Sequence, residues 1–315
     1  RTISSAASDV YKRQPIGAYK DLLPYLVRRL LENGANSSFI NRLLDSEVDA
    51  KKLAENPAKV LKSKIEKNNL LKIRLPKNMF DDRDNSPGLD LTERENIDSV
   101  KSNLEKYKNI TFDAISSINS SKSKTEVKSL CDDRVIGSVA FDSPDSIKNT
   151  LDDKSINYDW GKTDINHRSN ILQKVADLIQ SNADELLYLL LHETGKTIHD
   201  AWDELREAED FLRFYCNEAN HIQAKPIELK GPTGELNEIS YHPKGTFLCI
   251  SPWNFPAAIL VGQISAALIT GNNVVVKPSE YASLIGYKII ELFYKAGVPK
   301  EALTLILGGA DQGNA

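Results

Sequence analysis

Cysteine is scarce: Cys131, Cys216 and Cys249 are the three in a chain of 315 residues, far apart and odd in number. That excludes a disulfide framework and points to a reducing, cytoplasmic compartment. Metal-ligand spacing is missing too. His192-Glu193 is not followed by a second histidine at the metalloprotease position, and His199 comes too late, so no metal is expected. No apolar run is long enough to span a membrane. There is no basic excess: the net charge is −4, the lysines are scattered between acids, and no nucleic-acid partner is expected. The G-x-G-x-x-G fingerprint is absent. Residues 1–14, RTISSAASDVYKRQ, lack the apolar stretch of a secretory signal and are unpatterned; we read them as a non-native leader. What remains is an ordinary globular composition, 41% hydrophobic and 27% charged, long enough for one large domain or two.

The most informative stretch is Tyr241–Glu280, YHPKGTFLCISPWNFPAAILVGQISAALITGNNVVVKPSE. Phe247–Ile250 is a short apolar run, long enough for a buried strand. Pro252 and Pro256 bracket a turn, and Pro256 suits the first turn of a helix. Ala257–Ile269 is apolar nearly all round, as a helix packed on a sheet should be, and Gly271 ends it as a left-handed cap does. Val274–Val276 is a β-branched run and reads as the next buried strand. The pattern predicts a right-handed βαβ unit with parallel strands. In such sheets ligands bind beyond the carboxyl ends of the strands. Here those ends are Ser251-Pro252-Trp253-Asn254 and Lys277-Pro278-Ser279-Glu280. The plain alternative is that Asn254 is a turn residue and that Lys277 and Glu280 are a solvated loop pair.

ISPWNFP followed by GNNVVVKPSE resembles the coenzyme-domain motifs of NAD(P)-dependent aldehyde dehydrogenases, at the separation that family uses. The resemblance implies that Asn254 is the oxyanion-hole amide. It implies that Lys277 and Glu280 bind the hydroxyls of the adenosine ribose, and that Ile250, Ser251, Pro252, Trp253 and Ser279 border the coenzyme. The missing glycine fingerprint suits this family, whose coenzyme docks differently. After KPSE the family pattern is usually Gln-Thr-Pro; here Tyr281-Ala282-Ser283 follow.

A second signal lies near the start. YKDLLPYLVRRLLENG, residues 19–34, is an amphipathic helix with Leu22, Leu23, Leu26, Val27, Leu30 and Leu31 on one face. Tyr25, Arg28, Arg29 and Glu32 share the opposite face. Two adjacent arginines can clamp a carboxylate through paired N–H groups; on the pattern alone, a solvent-facing polar stripe is the favoured reading. Pro15-Ile16-Gly17 and YLVRRLLENGANSSF, however, resemble the last barrel helix of flavin-dependent proline dehydrogenases. That resemblance implies that Tyr25, Arg28, Arg29 and Glu32 belong to the proline site. The family carries another tyrosine twelve residues before Tyr25, where Arg13 stands here.

A chain with both signals resembles the bifunctional proline dehydrogenase/aldehyde dehydrogenase family. The implied activities are oxidation of proline to pyrroline-5-carboxylate with FAD and of glutamate semialdehyde to glutamate with NAD, in a homo-oligomer. The implied fold is α/β: an incomplete Rossmann-like NAD-binding domain of the aldehyde dehydrogenase type, preceded by the terminal helix of a (β/α)8 barrel. The expected division is 15–45 for the barrel end, 46–95 for a helical segment and linker, and 96–315 for the first part of the NAD domain. Along the chain we expect one or two surface helices over 46–75, a linker over 76–95 and weak helix over Ile97–Ile118. Glu126–Cys131 and Val135–Phe141 should form a hairpin, and a helix should start at Ser143-Pro144. Helices capped by Asp164, over Ala183–His192 and over Ile198–Asn220 should follow. The Glu193–Thr197 turn resembles the family's E-x-G-K-T element; it is no P-loop, because position 190 is Leu190. Leu236–Tyr241 reads as part of a protruding hairpin that this family often uses in oligomers. A helix over Ala282–Ala296 and a strand over Leu303–Leu307 complete the pattern. The family's nucleophilic cysteine and general-base glutamate lie beyond Gly308-Gly309 and are absent here, so the chain is expected to be an inactive fragment. A stand-alone aldehyde dehydrogenase fragment and a non-catalytic nucleotide-binding or scaffold module are the alternatives.

Overall fold

The structure, a computed structural model, describes residues 18–34, 55–66, 74–118, 123–153 and 159–315. The chain divides into two units, residues 1–73 and 74–315.

In the first unit two helices are described, α1 (Tyr19–Gly34) and α2 (Pro57–Glu66). Pro57 opens α2 at the position where a missing N–H costs nothing, and the Asn56 side chain accepts from Ala58 N at 2.9 Å. Within the apolar face of α1, Leu30 and Leu31 are exposed. Residues 1–17, 35–54 and 67–73, which include the expected leader and part of the 46–75 helical segment, lie outside the described residues.

The second unit begins with a strap, residues 74–93, and α3 (Arg94–Glu105). Three strands follow: β1 (Phe112–Ile115), β2 (Thr125–Lys128) and β3 (Val135–Ala140). They form a sheet in the order β1-β3-β2, with β1 parallel and β2 antiparallel to β3. The hairpin β2–β3 is as expected, although Cys131 lies in its turn rather than on the strand. Helix α4 (Pro144–Asp153) and a short α5 (Asp159–Lys162) lead to α6 (Ile165–Ser181), which Asp164 caps by accepting from Asn166 N. Helices α7 (Ala183–Thr194) and α8 (Ile198–Gln223) come next, then the hairpin β4 (Ile227–Leu229)–β5 (Asn237–Ile239).

The last third is the expected unit: β6 (Thr246–Ile250), α9 (Ala258–Ile269), β7 (Asn273–Lys277), α10 (Ser283–Ala296) and β8 (Leu303–Leu305), with α11 (Ala310–Asn314) after it. The strand order is β6-β7-β8 and both pairings are parallel. Central β7 is buried throughout because both faces are covered. Val274 and Val276 face the main core, while Val275 packs with Ile147 of α4 and Ile306 on the other side; this is the period-two alternation of a strand between two layers. Gly271 turns the chain from α9 into β7 at φ +87°, and a Cβ there would meet Pro243 Cγ at 2.9 Å. Only glycine meets both demands without strain. The outer edge of β8 is closed by residues that follow the first sheet's strands. Ser117 N donates to Leu305 O at 2.9 Å, and Asp142 N to Leu307 O at 2.9 Å. The Ser117 and Asp142 side chains accept from Leu305 N and Leu307 N in return.

Two expectations over residues 74–118 need correcting. Ile97–Ile118 is not one helix: α3 ends at Glu105 and Phe112–Ile115 is strand, because its parallel partner is β3. The stretch read as linker is docked along its later part. Ser86 is buried and gives both its N–H and its hydroxyl to Asp210 of α8, at 2.7 and 2.8 Å, while Arg83 stacks 3.7 Å from the Phe80 ring centroid.

Candidate functional site

The two motifs meet at the carboxyl edge of the β6-β7-β8 sheet. Register pairs Ile250 with Lys277, and Ser251 N donates to Lys277 O at 3.2 Å. Ser251 is buried, and its hydroxyl has no hydrogen-bond partner among the described residues. In the turn that follows, Trp253, Asn254 and Phe255 are exposed, Pro252 is half-buried and Pro256 is buried. The turn stands on residues that the motif does not contain. Ala257, at the N-cap of α9, has no side chain able to cap it. Glu204 of α8 supplies the acceptor: its Oε1 takes Ala257 N at 2.7 Å and Ala258 N at 3.1 Å. Its Oε2 lies 2.8 Å from Lys196 Nζ, an ion pair without the angles of a hydrogen bond. Lys196 Nζ also sits 4.3 Å from the centre of the Phe255 ring.

Across from this turn, Lys277 is buried. Its ammonium donates to Gly308 O at 2.7 Å and to Pro278 O at 3.3 Å. Burial lowers its pKa, against the pull of Glu280. Two of its three donors are thus engaged by carbonyls. Glu280 is half-buried, and a Cβ on Gly309 would stand 3.5 Å from its Oε1, so the ends of all three strands converge here. Ser279 caps the single turn Glu280–Ala282 by accepting from Tyr281 N at 3.3 Å. Where the sequence departs from the family pattern, Tyr281 is exposed and Ser283 is buried, its hydroxyl on Glu280 O.

The sequence places Glu193 in the turn after α7. In the structure it belongs to α7 and is buried. Its two oxygens accept from Leu284 N at 2.7 Å and Ile285 N at 2.8 Å, at the start of α10. Burial pushes its carboxyl up to about 8, against those N–H groups. Between the ordinary 4.5 and about 8 the native chain keeps a proton that the unfolded chain has released. Stability therefore falls as pH rises through that window, by roughly 1.4 kcal/mol per unit at most. Glu193→Gln removes the titrating group, so the expected unfolding curve of the variant is flatter between pH 5 and 8. Urea midpoints at three pH values check this; wild type and variant running parallel would show that the carboxyl titrates normally. Glu193 and Glu204 had a sequence signal that was missed. Each is a charge set inside an apolar stripe, Glu193 after Leu186, Leu189 and Leu190, Glu204 among Ala201, Leu205 and Ala208.

The two buried thiols are poor nucleophiles. Burial pushes Cys216 and Cys249 each up to about 11, and exposed Cys131 directs its S–H to Leu191 O at 3.4 Å. Among the described residues there is no cluster fit for a metal, and no helix is long and apolar enough to cross a membrane. In the first unit Tyr25 is about half exposed on α1; Arg28, Arg29 and Glu32 lie on the same helix, their side chains outside the described residues.

This parallel α/β sheet has the aldehyde dehydrogenase fold, and residues 118–315 match the model of the aldehyde dehydrogenase family. The chain belongs to that family. Residues 1–42 match the model of proline dehydrogenase, a range that includes the stretch set apart above as a leader. The chain is 34% identical over 305 residues to the bifunctional protein PutA of Escherichia coli (strain K12), covering 93% of this chain and 22% of that protein. It is also 34% identical over 207 residues to 1-pyrroline-5-carboxylate dehydrogenase of Anoxybacillus flavithermus, covering 65% of this chain and 38% of that one. A solved structure of proline utilization A (PutA) with proline bound in remote sites superposes with a TM-score of 0.74 at 33% identity, over 99% of this chain and 29% of that one. A Thermus 1-pyrroline-5-carboxylate dehydrogenase with bound NAD gives a TM-score of 0.66 at 27% identity, over 73% of this chain and 46% of that one. The chain thus spans about a fifth of the length of the bifunctional relatives, 22% of the Escherichia coli protein.

Proposed function

We propose that this chain is the junction of a bifunctional proline-catabolic enzyme. Its first unit would carry the last helix of an FAD-dependent proline dehydrogenase, and its second the coenzyme half of an NAD-dependent glutamate-semialdehyde dehydrogenase. The observation that carries the reading is the match of one chain to both family models, at residues 1–42 and 118–315.

The strand edge suits a dinucleotide. It offers the Ser251 hydroxyl, unpartnered among the described residues, a Lys277 ammonium with a donor to give, and the half-buried Glu280 carboxylate. Lys277 and Glu280 would hold the adenosine ribose hydroxyls, with Ile250, Ser251, Pro252, Trp253 and Ser279 along the coenzyme. NAD supplies the hydride acceptor when bound. Asn254 would donate its amide N–H to the aldehyde oxygen as that oxygen becomes negative, which is where a fixed donor contributes most to rate. The hairpin β4–β5, with Leu229 and Leu236 exposed, supports a homo-oligomer contact. In the first unit Arg28 and Arg29 would clamp the proline carboxylate, with Tyr25 and Glu32 beside them.

The reading is tested in the gene product that contains this chain. Replacing Arg28 or Arg29 by Met is expected to raise the proline KM on the order of ten- to a hundredfold, the loss of about 1.5–3 kcal/mol from a charged hydrogen bond. Aldehyde oxidation should stay nearly unchanged. If both activities fell together, the helix would be structural for the whole protein and the assignment would fail.

A further inference from the structure

We propose that Lys196 and Glu204 are a positioning pair that sets the placement of the Asn254 turn. The catalytic consequence rests on the reading of Asn254 given above; the positioning does not.

The pair grips the turn on both sides of Pro256. After it, Glu204 takes the N–H of the N-cap residue Ala257 and the first N–H of α9, at Ala258, which Ala257 has no side chain to cap. Before it, the Lys196 ammonium stands 4.3 Å from the Phe255 ring, one residue from Asn254. The two grips are joined by the 2.8 Å ion pair, with Glu204 at 0% and Lys196 at 12% side-chain exposure. Such a buried pair is a poor source of stability, since desolvation offsets most of its attraction, but losing one partner is costly. What it supplies here is geometry. Lys196 lies in the short link between α7 and α8, and both ends of that link are fixed. Gly195 closes α7 at φ +69°. The Thr197 hydroxyl accepts from Asp200 N at 3.2 Å and so opens α8. Neither glutamate nor lysine is within the SPWNFP motif, yet a shift of either moves the backbone on which Asn254 is mounted.

The chain contains three tryptophans, and one of them, Trp253, is exposed on the turn itself, next to Asn254. The full chain labelled with 5-fluorotryptophan therefore gives a direct report, the Trp253 resonance being assigned by Trp253→Phe. Trp160 is buried and donates to Leu268 O at 2.8 Å, and its resonance reports the fold. Lys196→Met and Glu204→Gln are expected to shift or broaden the Trp253 resonance and to leave that of Trp160 in place. Lys196→Arg should restore it. Phe255→Leu, which leaves the buried ion pair untouched, should reproduce part of the change and keeps the test available if either charge variant fails to fold. In the gene product that contains this chain, Lys196→Met should lower kcat about ten- to a hundredfold, as a misplaced group does, with the KM for NAD nearly unchanged. A moved Trp253 resonance with normal turnover would uphold the positioning pair and overturn the oxyanion role of Asn254. An unmoved Trp253 resonance in Lys196→Met, Glu204→Gln and Phe255→Leu would overturn the proposal.

Discussion

Asn254→Ala is expected to lower turnover about a hundredfold or more, the loss of roughly 3 kcal/mol that removal of one oxyanion donor typically brings. The fold should survive the change. Asn254 is exposed, so its truncation leaves no cavity. The backbone of the turn is held elsewhere, by buried Pro256 and by Glu204 at the start of α9. The measurement is kcat for glutamate semialdehyde in the gene product that contains this chain, with the melting temperature of the variant as control. Turnover within a few-fold of wild type would show that Asn254 only shapes the turn.

NAD should be preferred over NADP by about a thousandfold in kcat/KM. Glu280, half-buried beside Gly309, is placed by the proposal near the 2′ position of the adenosine ribose. A carboxylate and a 2′-phosphate about 4 Å apart repel by roughly 4 kcal/mol per pair of unit charges at an effective dielectric near 20, and each 1.36 kcal/mol is about tenfold in rate. A 2′-hydroxyl instead donates a hydrogen bond to the same carboxylate. Glu280→Gln should narrow the ratio by relieving NADP more than it harms NAD. Comparable efficiencies with the two coenzymes would sink this assignment.

The parts of the fold that were legible in the sequence are those whose causes are local. The Val274–Val276 run, the apolar α9 and Gly271 lie within one short stretch and specify a parallel βαβ unit without reference to anything distant. Asp164 caps α6 through a neighbour two residues on. What was not legible depends on partners far along the chain. Phe112–Ile115 becomes a strand because Gly137–Ala140 lies beside it. The strap has the composition of a linker, yet Ser86 is anchored to Asp210, 124 residues later. At the site, the joining of Ser251 to Lys277 followed from their places at the ends of adjacent strands. The burial of Lys277 did not, since its acceptor Gly308 lies 31 residues downstream. Glu193 and Glu204 were passed over for a related reason: a helical acid is ordinarily solvated, and only the distant amino ends of α10 and α9 explain why these two turn inward.

Those two inward carboxyls decide where a diphosphate can find no help. A helix amino end is a ready anion site, with free N–H groups and the positive end of the helix dipole aimed outward. At this sheet edge the helices that follow β6 and β7 would be the natural candidates. The N-cap N–H of Ala257 and the first N–H of α9 are taken by Glu204, and the N–H groups of Leu284 and Ile285 at the start of α10 by Glu193. The protein has filled both anion holes with its own side chains. A coenzyme phosphate approaching either helix would find the donors engaged and a carboxyl group in its place. The glycines of the missing G-x-G-x-x-G fingerprint serve to bring a diphosphate onto an open helix end; here the helix ends after β6 and β7 are closed from within, and only α11, after β8, has no inward carboxyl at its start among the described residues.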